Sequence, residues 1–130
     1  MFRLWVSAET LIGLLKEWTM NDEEINRAIA EQLGWRDLKK GPYDGTYFGR
    51  YKDHTLNPIP NYCGDLNAMH EAEKVLLADA DTGYEYDMEL NGVCECWEDG
   101  VMNYMKLWHS TAYQRAEAFL RTVGKWRGEE

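Results

Sequence analysis

The chain has 130 residues, 45% of them apolar, a length and composition suited to one folded domain rather than a disordered segment. Twenty-three Asp and Glu against 14 Lys and Arg give a net charge of -9, which argues against general affinity for DNA, RNA or an anionic membrane. No apolar run is long enough to span a bilayer, and an odd count of three cysteines suits a reducing cytoplasm.

The first segment reads as a short amphipathic helix. Ser7 is a candidate cap, and Leu11, Leu14, Leu15 and Trp18 follow at i, i+3, i+4 and i+7. Glu9, Lys16 and Glu17 interrupt any signal-peptide core. Residues 1–19 are therefore expected to be an N-terminal extension, with the domain proper over residues 20–130 and Met20 a candidate translation start.

The next helix has a sharper start. Asn21 and Glu24 stand close to a capping box, Met20 and Ile25 occupy the staple positions, and Gly34 is placed to end the helix. Trp35 to Leu38 predicts a short strand, Thr46 to Tyr51 a second, and Asn57 to Asn61 an extended or turn segment. A third helix is predicted from about Leu66 to Ala78, capped by Asp65, with Leu66, Met69, Ala72, Leu76 and Leu77 inward.

Tyr84, Tyr86, Met88 and Leu90 alternate with Glu85, Asp87 and Glu89, and Asn91-Gly92 and Asp99-Gly100 are hairpin dipeptides. This predicts a three-strand meander of Tyr84–Leu90, Val93–Glu98 and Val101–Trp108. A last helix is marked by a Thr111/Gln114 capping box and an apolar stripe of Ala112, Ala116, Phe119, Leu120 and Val123, with Gly124 to end it. The fold class that follows is α+β, a helix–sheet–helix sandwich around a small antiparallel meander.

Three blocks then carry a resemblance. MNDEEINRAIAEQLGW from Met20, IPNYCGDLNAMHEAEK from Ile59 and STAYQRAEAFLRTVGKW from Ser110 look like the phage ABA-sandwich family, in that family's order. The resemblance implies a sheet with helices on both sides. It also implies a viral, non-virion gene product acting in the bacterial host cytoplasm, and it brings no settled activity with it.

Two stretches stand out as candidate ligand-binding elements. The loop from Gly41 to Lys52 mixes glycines with Tyr43, Tyr47, Tyr51, Arg50 and Lys52, which suits stacking on a base and neutralising a phosphate. The third helix starts at Asp65 and presents Asn67, His70, Glu71 and Lys74 on one face. Together these give Tyr43, Tyr47, Arg50, Asp65, Asn67, His70, Glu71 and Lys74 as the expected ligand site. His70 has no second ligand or base at a fixed spacing, so no catalytic residue is assigned. Cys94 and Cys96 would share one side of a strand, but further zinc ligands are not spaced for them, so they read as buried thiols without metal or cofactor.

From Val75 to Met105 there is no Lys or Arg, while Asp79, Asp81, Glu85, Asp87, Glu89, Glu95, Glu98 and Asp99 all fall there. The expected function is that of a non-enzymatic phage accessory protein that binds a small nucleotide-like host molecule, a defence signal for example, and is a homo-oligomer. An acidic decoy for a basic host protein is the alternative reading, and a small hydrolase using His70 the third.

Overall fold

A computed structural model of the chain describes residues 20–41, 46–52 and 55–127. The expected helix over residues 1–19 lies outside them. Helix α1 (Asp22–Gln32) begins where Asn21 accepts a hydrogen bond from the Glu24 amide at 2.8 Å, and the chain leaves it through Gly34 in the left-handed region, φ 97. Three strands follow, β1 (Arg36–Lys40), β2 (Tyr47–Arg50) and β3 (Leu56–Pro58), in an antiparallel meander of order β1-β2-β3. The register runs through Lys40 opposite Tyr47 and Phe48 opposite Pro58. A bulge between Arg36 and Lys39 adds one residue to β1, and Asp37 within it has φ 55.

Helix α2 (Leu66–Leu77) is capped by Asp65, and helix α3 (Ala80–Val93) follows after a two-residue break. A minimal hairpin, β4 (Trp97–Glu98) and β5 (Val101–Met102), leads to the single-turn helix α4 (Tyr104–Trp108) and then to α5 (Ala112–Thr122). In α5 Thr111 and Gln114 form both halves of the capping box, at 3.1 and 2.8 Å.

The result is a mixed α+β sandwich in which helices flank two small antiparallel sheets, but the larger sheet is not where the alternation placed it. Tyr84–Leu90 is helical, not a strand. Gly83, Tyr86 and Leu90 lie on the buried face of α3 and Tyr84 and Met88 on the outer one. The residues that alternate also satisfy a period of 3.6, and burial of Tyr86 and Leu90 against the other helices decides between the two. Asn91-Gly92 falls inside the last turn of α3 and makes no hairpin. Asp99-Gly100 does join two strands, with both residues left-handed (φ 51 and 79) as a two-residue turn of this kind requires. The predicted strands Val93–Glu98 and Val101–Trp108 shrink to two residues each. Cys94 caps α3 and Cys96 follows it in irregular backbone, so the two do not share a strand.

One core joins the parts. Ile25 and Ile29 of α1, Met69 and Leu76 of α2, Tyr86 and Leu90 of α3 and Phe119 and Leu120 of α5 are all buried in it. Helix α5 packs against α1, α2 and α3 and is the central helix. Leu38, Tyr47 and Ile59 bring the three-stranded sheet onto the same cluster. Leu66 and Leu77, expected to face inward, are instead largely exposed, as are Trp97 and Trp108.

Candidate functional site

The left-handed Gly34 turns the chain out of α1 and delivers Trp35 to the edge of the sheet. There Trp35 stacks on Tyr51, which directly follows β2, with ring centroids 5.4 Å apart and planes 13° from parallel. Gly49 of β2 makes this approach possible. A Cβ at that position would lie 2.5 Å from Leu38 Cδ2 and 3.2 Å from Trp35 Cε3.

The segment 59–64 closes the other side. Asn26 of α1 donates to Asn61 Oδ1 at 3.0 Å and accepts from the Cys63 amide at 2.9 Å, which pins the turn to the helix. Tyr62 is thereby buried. Burial pushes its hydroxyl up to about 12, opposed by a hydrogen bond with Trp35. Asp65 then starts α2, whose Ala68 and Ala72 lie one turn apart and leave space above them. Trp35, Tyr51, Tyr62, the two alanines and Val75 surround a cleft of about 330 Å³ with Glu71 at its rim. The Lys52 ammonium lies 5.1 Å above the Tyr51 ring, and Lys74 donates to Glu71 at 2.8 Å.

The eight residues expected to form the site are divided by the structure. Tyr43 lies outside the described residues. Tyr47 is half-buried under the Arg27 guanidinium, 5.4 Å away, and borders a separate hollow of about 250 Å³ with Asp22, Glu23 and Asn26. Arg50 is drawn to Asp37 of the bulge, 3.5 Å away. Asp65 accepts from the Asn67 amide at 2.9 Å, a capping role. Asn67, His70, Glu71 and Lys74 are exposed on α2 as expected, but of the seven described only Glu71 lines the aromatic cleft.

The sequence reading missed Trp35 and Tyr62 as site residues. It also missed a buried ion pair. Glu73, 5% exposed, accepts from Arg115 Nη1 of α5 on both its oxygens, at 3.2 and 3.1 Å. His70 Nδ1 stands 3.4 Å from the same carboxylate. Tyr86 of α3 is fully buried beside the pair, and desolvation first, then the Glu73 charge, hold its hydroxyl strongly protonated. The available signal was one charged residue of each sign inside two apolar stripes: Glu73 between Met69 and Leu76, and Arg115 between Ala112 and Phe119.

Cys63, Cys94 and Cys96 are all buried free thiols. Burial, with the Asp22 charge second, raises Cys63 to about 11, and burial raises Cys94 to about 11 as well. Among the described residues no group of three or more His, Cys, Asp or Glu is arranged to hold a metal ion. No helix among them is long and apolar enough to cross a membrane.

No protein-family model, no curated protein and no solved structure matches the chain.

Proposed function

We propose that the protein is a binding protein for a small planar heterocycle of nucleotide type, held in the cleft between the Trp35–Tyr51 stack and α2. The observation that carries this reading is the stacked aromatic wall facing a helix surface cleared by Ala68 and Ala72. Base–aromatic stacking is worth roughly 1–3 kcal/mol and tolerates any base, so the polar rim must supply the selectivity. Glu71 is an acceptor for ring N–H or amino groups, and Tyr62 offers a hydroxyl. Lys52, over the Tyr51 ring, is the cation for a phosphate, while Lys74 is bonded to Glu71 at the rim. A volume of about 330 Å³ sits at the lower end of the ~300–1,000 Å³ range of ligand sites, which favours a mononucleotide over anything larger.

Taken with the sequence resemblance to phage accessory proteins, this is sequestration rather than turnover: a viral product that removes a host nucleotide signal from the bacterial cytoplasm. Calorimetry against nucleosides and free and cyclic mononucleotides tests it. Saturable binding is expected, weakened about tenfold or more by Trp35→Ala and by Tyr51→Ala. No heat with any member of the panel overturns the reading.

A further inference from the structure

Helix α3 carries a second surface, independent of the aromatic cleft. Its outer face holds Tyr84, 67% exposed, and Met88, 48% exposed, one helical turn apart. Asp81, Glu85 and Glu89 follow one another at i, i+4 and i+8, along a line beside these two. Between α3 and α5 runs a groove. One hollow of about 420 Å³ is bordered by Tyr84, Glu85, Met88 and Glu89 on α3 and by Arg121 and Thr122 on α5. A second, of about 240 Å³, continues it past Gly92 and Val93 to Glu117 and shares Glu89 and Arg121 with the first. From Tyr84 to Val93 the groove is roughly 14 Å long at 1.5 Å per residue.

The charge along it is net negative, with Glu85, Glu89 and Glu117 set against Arg121. The cation on its wall, Arg121, is bonded to Glu117 at 3.0 Å and lies 5.7 Å from the Trp126 ring, so its charge is already engaged. Like charges at i, i+4 destabilise an isolated helix. α3 accepts that cost along its whole solvent face while leaving a tyrosine and a methionine uncovered in the middle.

We propose that this groove docks a basic amphipathic helix of a partner protein. Two apolar residues one turn apart on that helix would cover Tyr84 and Met88, and Lys or Arg on its flanks would meet Glu85, Glu89 and Asp81. The charge of the groove repels an acidic partner segment of the same shape. A second copy of this chain is also disfavoured, because α3 packed on α3 sets carboxylate against carboxylate. The Met88 thioether adapts to different apolar partners, which suits a surface that accepts a foreign helix.

The test uses the full chain and a synthetic Leu/Lys peptide of about 18 residues with apolar positions at helical spacing, long enough to become helical on contact. Two controls accompany it: an isomer of the same composition with strict Leu/Lys alternation, and a Leu/Glu peptide at helical spacing. Fluorescence anisotropy is expected to show saturable binding of the first peptide, weakening steeply between about 50 and about 300 mM salt. The pair Glu85→Lys/Glu89→Lys, or Glu85→Gln/Glu89→Gln should the reversal not fold, should weaken binding about tenfold or more. Tyr84→Ala/Met88→Ala should weaken it several-fold. Glu23→Lys/Glu31→Lys on α1, the same change in net charge elsewhere, should leave most of the binding in place. Equal loss from the α1 and α3 charge variants overturns the proposal, as does equal binding of the alternating isomer or no binding at low salt. Trp35→Ala, which destroys the aromatic cleft, should not affect this peptide, so the two sites succeed or fail separately.

Discussion

Glu73 and Arg115 face each other where α2 crosses α5, with side chains only 7% and 15% exposed. Removing one partner leaves a charge in the interior without its counter-ion, which costs about 3–5 kcal/mol. Arg115→Met, which leaves Glu73 without its guanidinium, should fall within that range. The double substitution Glu73→Met/Arg115→Met removes both charges and leaves two apolar chains of similar length, and should cost much less than Arg115→Met. Urea denaturation of the two variants checks this, and a double variant as unstable as the single one would refute it. The buried acids give a second prediction. Burial raises Cys63 and Cys94 from the ordinary thiol value of 9.0 to about 11, and Tyr62 from 10.0 to about 12. Between those values the unfolded chain has lost protons that the folded chain keeps. Stability from these groups is therefore intact below pH 9 and declines as pH rises through 9–11, with Tyr62 extending the fall towards 12. Melting temperatures from neutral pH upward should show this decline, and Cys63→Ala/Cys94→Ala should delay its onset.

Among the elements, the ones with chemical punctuation were readable before any coordinates. Asn21 and Gly34 bracket α1, Asp65 opens α2, and Thr111, Gln114 and Gly124 bracket α5, all where the residues predicted. Helix α3 has weaker marks. Asp79 engages the Thr82 hydroxyl at 2.7 Å and makes no side-chain cap to the backbone, and apolar or aromatic residues at every second position from Tyr84 to Leu90 imitate a strand. Packing against α2 and α5 settles its period, and packing is not local information. The aromatic cleft was hidden for the same reason: its walls come from Trp35, Tyr51, Tyr62 and α2, and nothing in their spacing shows that Gly49 lets Trp35 approach. Gly49→Ala puts that explanation at risk. The added methyl would meet Leu38 Cδ2 at 2.5 Å and the Trp35 ring at 3.2 Å, and overpacking of this kind costs about 1–3 kcal/mol. A lower denaturation midpoint and a shift in tryptophan emission are expected together. Unchanged emission would mean that the stack does not depend on this glycine.

Across the whole molecule, charge is unevenly spread. The net charge is -9, and the stretch from Val75 to Met105 contributes acids with no base at all. The ion pairs among the described residues are mostly at the surface. Arg27–Glu31, Lys40–Glu23 and Lys74–Glu71 each expose close to half or more of both side chains, so each is worth at most about 1 kcal/mol and salt weakens it. The Glu73–Arg115 pair is shielded from salt by its burial. Added salt thus acts in two directions: it reduces repulsion along α3 and across the acidic surface, and it loosens exposed pairs that contribute little. The first effect should win, because it sums over many like charges within a Debye length of about 10 Å, while the second removes a few weak contacts. The melting temperature should therefore rise between about 20 and about 300 mM sodium chloride. Glu85→Lys/Glu89→Lys should raise it at low salt and flatten its salt dependence. A melting temperature that falls with salt in the parent chain would show that the surface pairs outweigh the repulsion, and that α3 carries its acids at no cost to the fold.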